Sequence, residues 1–263
     1  MIEPEILYED EDVLAVNKPT GLIVHPSLSC QGGRYGAGPD RQSVSEWFAK
    51  KYPESKNVGE PVRLSSGQAI ERPGIVHRID RETSGVLLLA KTSKGHAVLK
   101  KQFQNREIEK IYHAFVYGLV KDDRGKINLP IGRSSKDFRK RIVTSPQPLP
   151  FVRGGERGRG LFREALTYFE VLKRDEKDKV TFLEAKPKTG RTHQIRVHFL
   201  ALHHPVVCDN LYAPNRPALL GFNRLALHAR SLTFKDVFGE VHQITAEYPE
   251  DFQKALKTIG FKP

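Results

Sequence analysis

The chain has 263 residues, 38% of them hydrophobic, and its 43 Lys and Arg residues outnumber its 31 Asp and Glu residues, giving a net charge of +12. This composition excludes a disordered chain and favours a polyanionic partner, usually a nucleic acid. With only two cysteines, Cys30 and Cys208, the chain is not a disulfide scaffold. No apolar run approaches the ~20 residues that span a bilayer, which argues against a membrane protein. We therefore expect a cytoplasmic protein.

The first third of the chain predicts short strands separated by polar loops. The segments ILYED, VLAVN and GLIVH are strand-like, and the sequence NKPTG at residues 17–21 breaks them. Residues 28–42 and 53–73 are predicted loops, and a capping box at residues 43–46 opens a short helix between them. VLLLAKT at residues 86–92 has the length and composition of a buried strand, and Ser93 is placed to cap the next helix.

The remaining two thirds add further strands, one long irregular region and two helices. KIYHAFVYG, EALTYFEVL, VTFLEAKP and HARSLTF are predicted strands, and residues 133–163 are basic, rich in glycine and predicted to form a mobile loop. Helices are predicted at about residues 192–202 and over EDFQKALKTI. Because strands and helices do not alternate strictly, we predict an α+β fold with a mixed, mostly antiparallel sheet and flanking helices.

The densest chemical segment is HRIDRETSG at residues 77–85, between a glycine-containing loop and the apolar strand. Asp80 lies between Arg78 and Arg81, and nearby cations favour the ionised carboxylate that a nucleophile or base requires. A solvated aspartate in a turn, with its arginines on the surface, explains the same pattern equally well. The residues alone leave both interpretations open.

A second segment, KTGRTHQIRVH at residues 188–198, combines a glycine, a helix start and several basic side chains. Thr192 is placed to cap the helix, Arg191 would add charge where helix N-termini attract phosphate, and Arg196 could reach inward to a carboxylate. The alternative is an ordinary basic amphipathic helix.

Taken together, these motifs resemble the RluA-type pseudouridine synthases. HRIDRETSGVLLLAKT is similar to the first signature of that family and GRTHQIRVH to the second. The resemblance extends to ILYEDEDVLAVNKPTGLIVHP near the start, to the tyrosine of EKIYHAFVYG and to RLALHA near the end. The ordered set covers most of the chain and is highly specific.

The resemblance assigns roles to individual residues. Asp80 matches the catalytic aspartate, Tyr112 the tyrosine that packs on the target uracil, and Arg196 the basic residue that pairs with the aspartate. Arg78 matches an arginine that fills the gap left by a flipped nucleotide, and Leu225 or Leu227 would lie near the target base. The other residues expected to contact the substrate are Arg81, Thr83, Arg191 and His193.

The resemblance also implies the organisation and the partners of the protein. It implies one catalytic domain over residues 1–263 with a central RNA-binding cleft, no N-terminal S4-type domain and a flexible insertion at residues 146–160. The expected partner is structured ribosomal or transfer RNA, bound by a monomer. The implied reaction is the isomerisation of uridine to pseudouridine in RNA, and since it neither gains nor loses atoms, no cofactor is expected. Cys208 stands where many members have glycine, which puts the geometry of that turn in doubt.

Two other functions fit parts of the sequence. An RNA-binding module without catalysis would suit the charge and the aromatic residues, but binding alone does not require the combination of Asp80, Tyr112 and Arg196. A metal hydrolase could use His193, His198, His203, His204 and Cys208, although no HExxH pattern is present. Histidines of a basic helix that faces RNA are the interpretation we favour, and no metal site is predicted.

Overall fold

The computed structural model describes residues 3–25, 42–63, 69–144 and 162–262, and the predicted insertion at residues 146–160 lies outside them. The strands are β1 (Glu5–Glu9), β2 (Val13–Lys18), β3 (Val62–Arg63), β4 (Ala69–Ile70), β5 (Ser84–Ala90), β6 (Glu109–Tyr117), β7 (Arg124–Asn128), β8 (Ile131–Arg133), β9 (Arg141–Val143), β10 (Leu166–Asp175), β11 (Val180–Pro187), β12 (Leu227–Lys235) and β13 (Val241–Thr245). The helices are α1 (Val44–Lys51), α2 (Ser93–Asn105), α3 (Gln194–Ala201) and α4 (Glu250–Thr258), with a 3-10 helix at Pro53–Asn57.

These elements form two compact units. The first unit comprises Met1–Lys110 and His228–Glu247, and the second comprises Ile111–Leu227 and Tyr248–Pro263. The prediction of a single catalytic domain stays a prediction. In the part of the chain that the structure describes, no helix combines the length and the hydrophobicity that crossing a lipid bilayer would require.

In the first unit, β5 is the central strand. It pairs antiparallel with β2 and parallel with the start of β12, while β1 and β13 extend the sheet by antiparallel pairing with β2 and β12. Every residue of β5 is buried, which is why its sequence is a continuous apolar run and not an alternating one. Leu88 of this strand shares a hydrophobic core with Val13, Leu99 and Phe234.

The second unit is an antiparallel sheet with helices packed on its core. The strand order is β6–β11–β10–β7, and all three pairings are antiparallel. Aromatic side chains fill the core, where Phe115 lies between 4.8 and 5.6 Å from the rings of Phe182, Phe222 and Phe252. Such large buried rings account for much of the apolar surface that the unit removes from water.

The observed architecture confirms the predicted fold class, a mixed and mostly antiparallel sheet with four helices in the described part of the chain. The capping box is also confirmed, since the Ser43 side chain accepts from the Glu46 amide and the Glu46 side chain accepts from the Ser43 amide. The predicted 53–73 loop instead contains the 3-10 helix and the short β3–β4 pair. Within 133–163, β9 pairs with β8, so part of that region is ordered.

Three local predictions were wrong. GLIVH forms no regular strand, because the carbonyls of Ile23 and Val24 accept hydrogen bonds from the first amides of α1. The cap of α2 is Thr92, whose hydroxyl accepts from the Gly95 amide, and not Ser93. Helix α3 begins at Gln194, after His193 in a left-handed conformation, and therefore Thr192 does not cap it.

Candidate active site

Asp80 lies in the loop that leads into the buried strand β5. Its carbonyl accepts a hydrogen bond of 3.2 Å from the amide of Thr83, which closes a tight turn. Ile79 is buried and anchors the loop, whereas Arg78 and Arg81 on either side are exposed. The loop thus sets a half-buried carboxylate at the end of a rigid strand, with a solvent-facing arginine before and after it.

A buried lysine, Lys18, is hydrogen-bonded to the backbone of the same loop. Lys18, at the end of β2, is fully buried, and its ammonium group donates to the carbonyls of Pro19 at 2.8 Å, Leu22 at 2.9 Å and Arg81 at 3.0 Å. A buried charge is tolerated only when its donors are satisfied, and these three acceptors meet that requirement. Lys18 therefore fixes the backbone next to Asp80, a role that the sequence reasoning missed.

The two small residues of the TSG motif anchor the other end of the loop. The Ser84 hydroxyl lies 2.9 Å from Nδ1 of His228, and both side chains are buried. Gly85 has a φ of +109°, and a Cβ atom there would lie 2.2 Å from the carbonyl oxygen of Ala229. Only glycine fits at this position, where the backbones of the paired strands β5 and β12 approach closely. Thr83, predicted to bind substrate, is buried, and its hydroxyl lacks a hydrogen-bond partner among the described residues.

In the second unit, Arg196 lies on the first turn of α3 and is buried. Its Nε and Nη2 atoms donate to the two carboxylate oxygens of Asp209 at 2.7 and 2.8 Å, and its guanidinium lies 5.0 Å from the ring centroid of Tyr212. This two-bond geometry fixes the orientation of the guanidinium plane. The sequence indicated that Arg196 reaches a carboxylate, but it did not identify Asp209 as that carboxylate.

The turn before α3 is held by side chains instead of a helix cap. The Gln194 side chain accepts from the amide of Arg191 at 3.0 Å, and Nε of Arg191 donates to the carbonyl of Glu164 at 3.0 Å. His193 contacts the hydroxyl of Tyr212 at 2.9 Å through Nδ1. Arg191 and His193, both predicted substrate contacts, are thus half-buried and oriented by neighbouring residues.

The remaining predicted residues lie on β6 and near β12. Tyr112 is half-buried on β6, and Leu225 and Leu227 are buried. Arg224 donates to Asp251 at 2.6 and 2.8 Å and to the Leu225 carbonyl at 3.1 Å, which fixes the backbone of the RLALHA motif. Asp80 belongs to the first unit and Tyr112 and Arg196 to the second, and the pairing of Asp80 with Arg196 stays a prediction.

The turn that contains Cys208 keeps the geometry expected of glycine. Cys208 has a φ of +56°, in the left-handed region that glycine adopts most readily. Its amide donates to the hydroxyl of Tyr117 at 3.1 Å, and its thiol lies 3.2 Å from the carbonyl oxygen of Phe222. These contacts hold the turn that places Asp209 against Arg196, so the substitution of glycine by cysteine leaves the turn intact.

Three of the four histidines considered as metal ligands, His193, His198 and His204, contact other protein groups through their rings. His198 lies 2.9 Å from a threonine hydroxyl and 3.0 Å from a backbone carbonyl, and His204 lies 2.8 Å from another carbonyl. Burial lowers the pKa of His198, which keeps that ring neutral at pH 7. Within the described ranges, the one group of three side chains close enough to share an ion contains none of these histidines; it comprises Asp236, Glu240 and His242.

Comparison with known proteins places this site in context. A family model described as RNA pseudouridylate synthase matches residues 12–201. An uncharacterized RNA pseudouridine synthase of Aquifex aeolicus (strain VF5) is 45% identical over 79% of this chain, and the chain spans 55% of that protein's length. A ribosomal large subunit pseudouridine synthase D of Zymomonas mobilis (strain ATCC 31821 / ZM4 / CP4) is 33% identical over 97% of this chain and 72% of its own.

A solved structure shares the fold. Human RNA pseudouridylate synthase domain containing 4 superposes with a TM-score of 0.71, at 22% identity, over 98% of this chain and 94% of its own.

Proposed function

Because the chain belongs to the RNA pseudouridylate synthase family, in its RluA branch, we propose that it isomerises uridine to pseudouridine in structured RNA with Asp80 as the catalytic carboxylate. The observation that carries this proposal is the match over residues 12–201, which includes Asp80, Tyr112 and Arg196. Each signature segment is also held by a buried side chain that is hydrogen-bonded to it: Lys18 holds the first segment and Asp209 holds the second.

The reaction conserves all atoms. The bond between N1 of uracil and C1′ of ribose breaks, a bond between C5 and C1′ forms, C5 loses its proton and N1 gains one. In folded RNA the reacting atoms are hidden, and the nucleotide must be flipped out at a cost of a few kcal/mol. The net charge of +12 supports this step, since phosphate contacts supply binding energy that offsets the cost.

Two chemical routes are open to the Asp80 carboxylate. It can attack C1′ and form a covalent ester that the rotated uracil displaces through C5. Alternatively, it can remove the proton from C2′ as the N1–C1′ bond breaks, giving a glycal; C5 of the rotated uracil then adds to C1′ while the proton returns to C2′. Both routes require the ionised carboxylate, which the arginines of the signature segments favour.

Tyr112 and Arg196 have supporting roles in this proposal. Tyr112 packs on the detached uracil while it rotates, and Arg196 orients Asp80 and keeps it ionised. The bidentate contact of Arg196 with Asp209 supports this role, because a guanidinium held in one plane presents its remaining donors in a fixed direction. Asp209 acts through Arg196 and is a positioning residue.

We further propose ribosomal or transfer RNA as the substrate. The name of the Zymomonas relative states an action on the large ribosomal subunit, which favours ribosomal RNA as the first substrate to test.

A tritium-release assay tests the proposed function. RNA transcribed with uridine tritiated at C5 loses tritium to water only where a C5–C1′ bond forms. The wild-type chain should release tritium, Asp80→Asn should release none while binding the same RNA, and Asp122→Asn, the same change at an exposed position, should retain full activity. Release by Asp80→Asn at a substantial fraction of the wild-type rate would contradict the assignment.

A further inference from the structure

A basic cavity opens in the first unit, separate from the Asp80 carboxylate but lined in part by the same segment. Its volume is about 410 Å³, which lies within the ~300–1,000 Å³ range of ligand-binding clefts. His77 and Arg78 of the HRIDRETSG segment line one side, and Arg72, Lys100 and Phe103 line others. His77 and Phe103 stack with ring centroids 4.6 Å apart, giving the cavity a flat aromatic wall.

The cations of this cavity outnumber the carboxylates that face them. Glu60, the acidic residue of the lining, already forms an ion pair with Lys100. Arg78 contacts the ring of His25 at 3.4 Å, and the buried Nε atom of the Arg72 side chain has no hydrogen-bond partner among the described residues. Two guanidinium groups therefore line one cavity, and neither forms an ion pair with a carboxylate of the described residues.

This arrangement is electrostatically unfavourable in the unliganded protein. Burial and the neighbouring charge of Arg78 both lower the pKa of Arg72, and its Nε atom is shielded from water. Keeping a half-buried cation next to a second cation costs free energy, and an anion bound in the cavity would offset that cost. Burial also lowers the pKa of His96 in the lining, so that ring adds no charge at neutral pH.

We propose that this cavity binds a backbone phosphate of the RNA substrate, with Arg72 as its central contact. The inference rests on the proposed function and deepens it by assigning a second contact with RNA outside the reacting nucleotide. Guanidinium groups match the geometry of phosphate oxygens, and RNA presents one phosphate for each nucleotide. Arg78, which lines the cavity and stands two residues before Asp80, links this phosphate contact to the target nucleotide.

The salt dependence of RNA binding tests the proposal. Affinity of the full chain for a fluorescein-labelled RNA hairpin is measured over a series of KCl concentrations. Arg72→Gln should weaken binding about tenfold and lower the slope of log K against log salt by about 1. Lys257→Gln, which removes one charge from an exposed position on α4, is the control and should change the slope by much less.

A second variant keeps the test valid if Arg72→Gln does not fold. Glu60→Gln frees Lys100 from its ion pair and should raise affinity several-fold and steepen the slope by about 1. Glu250→Gln is its matched control, because Glu250 is likewise exposed and paired with a lysine, Lys254. Glu60→Gln and Glu250→Gln with equal slopes would overturn the phosphate site.

Other outcomes separate this inference from the proposed function. A loss of affinity in Arg72→Gln without a change in slope would indicate a base in the cavity and overturn the phosphate assignment. Pseudouridine formation by the wild type, together with unchanged binding by Arg72→Gln, would overturn the phosphate site alone. A slope change in Arg72→Gln with an inactive wild type would support the phosphate site and contradict the isomerase.

Discussion

The two signature segments are held in place by different kinds of contact. The Asp80 loop is fixed through its backbone, because the ammonium group of Lys18 donates to three carbonyls, one of them that of Arg81 in the loop itself. Arg196 is fixed through its own side chain, by the two bonds to Asp209. In the first segment the contacts of Lys18 therefore fix the main chain of the loop, whereas in the second segment the contacts of Asp209 fix the orientation of one cationic side chain.

The largest effect on stability is expected where the side-chain contact is broken. Asp209→Ala removes both hydrogen bonds that hold the buried Arg196 guanidinium in one plane, and breaking such a buried ion pair costs ~3–5 kcal/mol. Urea unfolding measures this loss, and activity should fall with it because Arg196 is no longer oriented. Asp123→Ala is the control, since Asp123 is exposed and pairs with Arg174 at the surface, where ion pairs contribute about 0–1 kcal/mol. Equal losses in both variants would contradict the account.

The backbone contact should be the next most costly to remove. Lys18→Met keeps the length and apolar stem of the side chain but leaves three carbonyls without their donor, a loss of about 2–4 kcal/mol. The rate of pseudouridine formation should fall, while RNA affinity should change little because Lys18 is buried. Lys173→Met, at an exposed position on β10, should have neither effect. If Lys18→Met were as active as wild type, the conformation of the Asp80 loop would not depend on the hydrogen bonds of Lys18.

A pH dependence tests the environment of the first segment. Burial, followed by the charge of Lys110, lowers the pKa of His77 to about 3, and its Nε2 accepts from the Leu88 amide at 2.9 Å. Only the unfolded chain takes up a proton on His77 as pH falls below 6.5, so stability is complete above that value and is lost between pH 6.5 and 3. The loss at pH 5 is roughly 2 kcal/mol. His77→Gln should flatten the stability profile between pH 7 and 5, and a profile identical to wild type would show that His77 does not titrate this way.

The smallest effect is expected for the contact between Ser84 and His228 at the end of the loop. Ser84→Ala removes the hydroxyl that lies 2.9 Å from His228, at a cost of about 1 kcal/mol. A double-mutant cycle with His228→Phe isolates the pair, and the coupling energy should account for most of the single-mutant loss. A coupling energy near zero would indicate that the serine stabilises the strand by packing alone.

Much of the fold could be read from local patterns. The apolar run of β5, the capping box of α1 and the final helix were predictable because each depends on neighbours in sequence. GLIVH was not, because its carbonyls accept hydrogen bonds from Lys18 and from the first amides of α1, and its Gly21 amide donates to the Arg81 carbonyl. Strand-like composition does not reveal which backbone groups have other partners.

In the candidate site, too, the residues in local motifs could be predicted and those placed by tertiary contacts could not. Asp80, Tyr112 and Arg196 could be proposed because they lie in recognisable motifs. Asp209 is 13 residues from Arg196, and only the turn at Cys208 brings them together. Lys18 ends an apolar run, where a lysine ordinarily extends into solvent. Residues that hold a site depend on tertiary contacts, and these contacts leave no local pattern.

The most direct test is a map of pseudouridine across total cellular RNA, with and without this gene. The account predicts that at least one site disappears on deletion, returns with the wild-type gene and stays absent with Asp80→Asn, although that variant is folded and present at normal abundance. A map unchanged by deletion of the gene would contradict the function, and restoration of the site by Asp80→Asn would contradict the role of this carboxylate.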